Sequence, residues 1–367
     1  MDLGYFMMPA HPPERKPYDW HQYDLQSLRW GDELGVTEAW IGEHFTVVWE
    51  PNPSPDLTIA QALMQTERIK LAPGAHLLPY HHPVELAHRV AFLDHLAQGR
   101  LQLGVAAGAH QGDFMAFGVD GMNGENRVMM REALDIMLGI WAAEGEYEYK
   151  GKYWNVHIPP EIVEGNYRHH MHTFTKPHPP IGMAVVSPRS ETIKLAGSYG
   201  FMPLSIHLNN EYTQGHWETY VEAAEASGFK PDRSKWRVQT EILVADTDAE
   251  AERLAYDGPL GRSCREYLWQ LYNAFGFLGH LKHDPSMSDA DVTPEYFMRT
   301  SWIVGSVDTV TDRIVDMYKT TGGFGTLLWS PTDWGDQPER MRHTLELLMN
   351  EVLPRVNERV GPLPVVT

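Results

Sequence analysis

The sequence predicts an α/β fold, an eight-stranded (β/α)8 barrel of the TIM type with insertions. Three observations predict it. Short β-type runs alternate with helical stretches along the whole chain, about eight times, and most connections are too long for hairpins. Strands alternating with helices imply a parallel sheet, and about eight such units favour closure into a barrel. Several of the β-type runs also end abruptly in small or polar residues. The run at 100–105 gives way to Ala106-Ala107-Gly108, and the run at 37–41 to Gly42-Glu43-His44. In a parallel barrel those ends form the catalytic face. Finally, 367 residues with 43% hydrophobic content suit one large barrel domain, 1–367.

The elements follow in order. Residues 3–8 are an apolar run followed by prolines, a buried strand and then a loop. Residues 19–34 carry apolar side chains at helical spacing, and Gly35 is placed to end the helix. A strand is expected at 37–41, a helix at 57–66, and a strand at 68–78 interrupted by Pro73-Gly74. Pro83 opens a helix to 96, and Gly99 lies beyond its end. The alternation continues with strands at 100–105, 181–186, 201–206, 237–245 and 325–329. Helices are expected at 125–141, 191–197, 213–227, from 248 onward, and at 338–352. Two segments break the rhythm. Residues 146–156 read as a hairpin leading into a His- and Pro-rich loop, an insertion reaching 180. Residues 257–299 are partly helical and rich in aromatics. Long insertions in compact domains serve as lids, binding loops or oligomer contacts.

The charge balance, 30 basic against 49 acidic residues, argues against a nucleic-acid or anionic-membrane partner. A single cysteine, Cys264, excludes an intramolecular disulfide and fits a reducing compartment. No signal peptide is visible at 1–6, and no apolar run is long enough for a bilayer. A soluble cytoplasmic protein is the expectation. The 12 Trp and 17 Met favour large apolar pockets.

No Gly-x-Gly-x-x-Gly, Walker or Gly-x-Ser-x-Gly motif is present, which weakens Rossmann dehydrogenase, nucleotide hydrolase and esterase readings. His82, Glu85 and His88 spread too far round a helix to chelate well. His169, His170 and His172 read as solvated loop residues, so no metal is expected. Glu43-His44 pairs an acid with an imidazole at a strand end. It is either a structural pair or a catalytic one, with His44 acting at a reacting oxygen. In Pro73-Gly74-Ala75-His76 a glycine interrupts an apolar strand, marking either a kink or a close backbone approach to a ligand. Ser187-Pro188-Arg189-Ser190 opens a helix. That is a plain N-cap, or a phosphate site built from the helix terminus and Arg189.

Taken in order, Trp40 to Phe45, Ile69 to Gly74, Gly99 to Val105, Ile303 to Val310 and Gly322 to Thr326 resemble the bacterial luciferase-like flavin monooxygenases. The resemblance spans nearly the whole chain. Ile41 to His44, Ala75 to His81 and Gly104 to His110 bring it nearest the diketocamphane and limonene monooxygenase branch. It implies a barrel that takes reduced FMN from a separate reductase and reacts it with O2, through a C4a-peroxyflavin, to oxygenate a small apolar substrate. Ketones and terpenoids are the implied substrates, by Baeyer–Villiger insertion or hydroxylation. It implies that Gly74-Ala75 is a cis peptide beneath the flavin, with His76, Ala106 and Ala107 beside it. Ser187, Arg189 and Ser190 would hold the phosphate, and His44 would be the catalytic-site histidine; read from the residues themselves, it is a neutral imidazole that Glu43 orients or charges. Luciferases carry a basic residue where this chain has Ala107, which shifts the load to Arg189. Phe6, Met8, Trp49, Trp302 and Trp329 are the expected substrate contacts. A homodimer is expected through the helix at 83–96. The competing readings are an F420-dependent oxidoreductase on the same barrel, a non-catalytic flavin-binding relative and a metal-dependent hydrolase.

Overall fold

The structure, a computed structural model, describes residues 1–8, 10–164, 170–187, 189–284 and 286–363. Nine parallel strands stand in one row: Lys70–Pro73, Glu38–Ile41, Asp2–Met7, Thr326–Trp329, Arg237–Thr240, Met202–Ile206, Ile181–Val185, Leu103–Ala106 and His76–Leu77. The first and last of these are two halves of one sequence run. A parallel bridge between Leu71 and Leu101 joins the ends of the row. The result is a barrel of eight staves, one of them broken.

The break falls at Gly74-Ala75, whose peptide is cis. The neighbouring stave must tolerate the displaced backbone. A Cβ on Gly104 would sit 2.3 Å from the Pro73 carbonyl oxygen, so only glycine fits there. Strand alternation sorts the remaining side chains. Along Glu38–Ile41, Trp40 points into the barrel with Phe6, Ala72, Met202, Leu204 and Leu328. Ala39 and Ile41 join the larger core outside it, with Leu3, Tyr5, Leu71 and the helix side chains. At the amino end of the strands, a buried two-pronged pair joins Arg237 to Glu38, both contacts at 3.0 Å. The Trp40 indole donates to the same carboxylate at 2.8 Å. This end is filled, which leaves the carboxyl end for the site.

Two elements differ from expectation. The run 237–245 splits at Glu241 into Arg237–Thr240 and Ile242–Val244. The second piece leaves the barrel and pairs in parallel with Ile303–Gly305, a three-residue strand too short to show a period. The hairpin forms as Tyr147–Lys150 against Asn155–Ile158. Residues 257–299 hold several short helices, and with Pro294–Ser301 they build a core of their own around Leu260, Cys264, Phe297, Met298 and Trp302. No helix among the described residues is long and apolar enough to cross a membrane.

Candidate active site

The carboxyl ends of the staves open into a cleft of about 610 Å³. Its floor is made of small residues: Gly74 and Ala75 from the broken stave, and Ala106, Ala107 and Gly108 from the next one. Phe6, Met8, Ala184 and Ile206 form an apolar wall. Tyr267, Leu271, Tyr272, Phe275 and Phe277, all from the second insertion, form a roof with Trp302.

His44 faces this space from the rim. Its Nε2 lies 2.8 Å from Glu50 Oε2, and its Nδ1 lies 3.9 Å from Asp113 Oδ2. The His110 ring stands edge-on to it at 4.7 Å. Burial disfavours the charged imidazole, but Glu50 and Asp113 outweigh it and push His44 up to about 9. Burial and the charge on His44 hold His110 below the usual range. At neutral pH His44 is therefore an imidazolium and His110 the neutral ring. This corrects the expectation of a neutral His44.

Glu43 turns the other way. Its carboxylate accepts from the Leu77 backbone N–H at 2.8 Å and meets His81 Nε2 at 2.9 Å and His76 Nδ1 at 3.4 Å. Burial opposes ionisation, yet His76 and His81 hold Glu43 well below the usual carboxylate range. On its far side His76 meets Asp56 at 2.8 Å, and Arg89 meets Asp56 at 2.6 Å. Asp56 and Glu43 together overcome burial and push His76 up to about 9. Two expectations are corrected here. Glu43 lines the cleft but does not orient His44, because its oxygens are taken by the next stave. His76 is fully buried and does not line the cleft.

The expected phosphate residues are also rearranged. Ser190 Oγ accepts from the Ile193 N–H as the N-cap of the helix Glu191–Tyr199. Ser187 does not line the cleft; its carbonyl is 3.2 Å from His216 Nε2. Arg189 lines a separate groove of about 970 Å³, with Arg313 and Lys282. At that end of the cleft stand Thr192, Asn126 and Arg127 instead. Asn126 Nδ2 donates to the Ala107 and Gly108 carbonyls at 3.1 and 3.2 Å, and its Oδ1 has no partner among the described residues. Arg127 is exposed and has no carboxylate within 4 Å among the described residues. Thr192 closes the helix-start motif 187–192 that the sequence offered as a phosphate site; Asn126 and Arg127 were missed. The available signal was their position in the first turn of the helix Glu125–Ala142, after the glycine-rich turn at 118–124.

Phe6, Met8 and Trp302 line the cleft. Trp49 does not. It stacks behind Tyr267, with ring centroids 6.3 Å apart, and carries the Arg262 guanidinium over its face. Trp329 packs edge-on against Tyr5 in the outer core. The histidines at 82 and 88 bond to their own helix, at Val84 N and Val84 O, and Glu85 pairs with Arg89. His169 lies outside the described residues. Glu43, His76 and His81 form one set of three close donors, and His44, Glu50 and His110 another. A metal bound at either set would have to displace the proton that the carboxylates favour on His76 or His44.

Comparison with known proteins agrees with this geometry. The family described as Luciferase-like monooxygenase matches residues 1–323. The 3,6-diketocamphane 1,6-monooxygenase of Pseudomonas putida is 34% identical over 372 residues, covering 97% of this chain and 98% of that protein. The limonene 1,2-monooxygenase of Rhodococcus erythropolis is 29% identical, covering 99% and 88%. Among solved structures, the oxygenating constituent of the P. putida 3,6-diketocamphane monooxygenase, a type II Baeyer–Villiger monooxygenase in complex with FMN, superposes with a TM-score of 0.90. It is 35% identical, covering 97% of this chain and 98% of that one.

Proposed function

The chain belongs to the luciferase-like monooxygenase family, and on that premise we propose that it is the oxygenase half of a two-component, FMN-dependent Baeyer–Villiger system acting on a small apolar ketone. One observation carries the reading. A floor without side chains larger than methyl faces a charged histidine, under an aromatic roof and with a cationic far end.

The residues present fit FMN. Gly74, Ala75, Ala106 and Ala107 leave room for a flat ring system against the backbone. Arg127, Thr192 and the amino end of the helix Glu191–Tyr199 offer a guanidinium, a hydroxyl and free N–H groups to a phosphate. Reduced FMN, when bound, supplies the electrons that activate O2. The protein's own work is to exclude water, orient the substrate and control a proton. The roof of Tyr267, Tyr272, Phe275 and Phe277 does the first two. His44 does the third: with Glu50 and Asp113 beside it, the imidazolium is a weak acid. It keeps its proton and sets a positive charge at the rim of the cleft.

An F420-dependent activity finds less support. A polyglutamate tail wants a basic tract, and the large groove beside the cleft sets Glu211, Glu218, Asp312 and Asp316 against Arg189, Lys282 and Arg313. A separate reductase and a homodimer complete the reading. On the helix Pro83–Ala97, Phe92 is 55% and Leu96 52% exposed, an apolar pair suited to a second copy.

The test is anaerobic titration with reduced FMN, followed by oxygen and a bicyclic ketone. Lactone should form in step with flavin oxidation. Rapid NADH oxidation by the protein alone would remove the two-component assignment, and F420 reduction without oxygen would replace the whole reading.

A further inference from the structure

Beside the apolar roof and wall, one edge of the cleft is polar, with Gln239, Glu241 and Ser330 next to Trp302. Glu241 stands where the chain leaves the barrel, between Thr240 and the strand Ile242–Val244. The Ile303 N–H donates to the Glu241 carbonyl at 2.9 Å, and Ile242 and Ile303 are register partners. Trp302 therefore lies alongside Glu241, one residue before that pair. Both residues line the cleft. Two buried polar atoms here have no partner among the described residues: Glu241 Oε2 and Trp302 Nε1. Buried polar groups are nearly always satisfied, and exceptions call for an explanation.

The unpartnered oxygen is the one free to carry the proton. Glu241 Oε1 accepts from the Gln239 amide at 3.1 Å. No cation is among the groups acting on Glu241. The titratable groups that feel it, Tyr272 and Cys264, are themselves held in their neutral forms by burial. Burial raises Glu241 to about 7, against the pull of Ser330 and Gln239. In the protonated form Oε1 is the acceptor and Oε2 the hydroxyl. The indole N–H is a donor only. Two unpartnered donors, on cleft-lining residues each one place before a register pair, match an oxygen that only accepts.

We propose that Glu241 and Trp302 form a two-donor seat for the carbonyl oxygen of the substrate. An alkene gives neither donor a partner, and an alcohol in the seat leaves its own hydroxyl proton without an acceptor. When a nucleophile adds to the carbonyl carbon, the π electrons move onto this oxygen. Donors already aimed at it then hold the developing charge. The seat deepens the oxygenase reading of the same cleft and rests on it.

The experiment uses the full chain without flavin and compares bicyclo[2.2.1]heptan-2-one with its 2-methylene analogue by calorimetry. The analogue has the same shape and no oxygen. Wild type should prefer the ketone about tenfold or more. Glu241→Ala and Trp302→Phe should each remove most of that preference, while Glu241→Gln, which keeps an N–H donor, should retain it. With reduced FMN and O2, Glu241→Ala should lower kcat/KM for the ketone by about 10²-fold, the usual scale for one such donor. The Kd for reduced FMN should not change. Equal affinity of wild type for ketone and analogue overturns the proposal, as does a preference that survives both Glu241→Ala and Trp302→Phe. A wild type that prefers the ketone but makes no lactone leaves the seat standing and sinks the oxygenase reading instead.

Discussion

The carboxylate of Glu43 and the imidazole of His44 leave the same strand end from adjacent residues, and each enters a cluster of histidines and acids. The two clusters are built from similar parts. Around Glu43, a backbone N–H and two imidazoles meet the carboxylate, and His76 is bonded on both ring nitrogens. Around His44, Glu50 and Asp113 supply charge at 2.8 and 3.9 Å, but neither ring nitrogen has an aligned hydrogen bond. The first cluster is saturated and ties the loop after one stave to the next. The second, at the rim of the cleft, leaves both imidazole nitrogens of His44 short of an aligned partner. Similar composition thus gives a fastener in one case and, on the function proposed above, the working histidine in the other. The difference is whether hydrogen-bonding capacity remains for a ligand.

The largest expected effect tests the reactive half of this contrast. His44→Ala should bind reduced FMN nearly as wild type does and lose oxygen transfer by about 10²–10⁴-fold, the scale of acid–base assistance. Product formed per flavin oxidised is the measurement; unchanged coupling would make His44 a second fastener. His76→Ala should do the reverse. Removing one partner of a buried ion pair costs about 3–5 kcal/mol, so chemical denaturation should show a large loss of stability. The protein that remains folded should keep its coupling ratio.

A smaller effect comes from pH. Both His44 and His76 stand at about 9 in the folded protein, against about 6.5 in the unfolded chain. Their stabilisation is complete below about 6.5 and is lost as pH rises through 9. The Tm should fall between pH 6.5 and 10, and the fall should shrink in either His→Gln variant. A Tm flat across that window would contradict the charge assignment of both clusters. The smallest effect concerns metal. Because each triad holds an imidazolium rather than a free ligand, a chelator should leave Tm and coupling unchanged. A chelator-sensitive Tm would show that one triad is a metal site after all.

Much of the barrel was legible because its signals are local. Short β-type runs between helical periods mark the staves, and Pro73-Gly74 marks the broken one. The strand end at Glu43-His44 was legible for the same reason. Their partners were not. Asp56, His81, Glu50 and Asp113 come from loops and helices with no pattern of their own, and only the closed barrel brings them together. Adjacent residues at a strand end also face different neighbours, so sequence adjacency of Glu43 and His44 suggested a pair that the pleat separates. Aromatic content foretold an apolar cleft but not which rings line it. Trp302 does, whereas Trp49 lies one layer behind. The phosphate end was misread because a helix start at 187–190 looks the same whether its first turn meets a ligand or only its own N-cap.

The roof has a consequence for how such an enzyme changes over time. Its rings hang from a segment with a separate buried core, around Cys264, Phe297 and Met298, whereas the floor and His44 belong to the staves. Substitutions that reshape the ceiling are thus insulated from the packing that keeps the barrel closed. New substrate ranges can be explored there by drift, while the flavin face and the charged histidine beside it stay as they are.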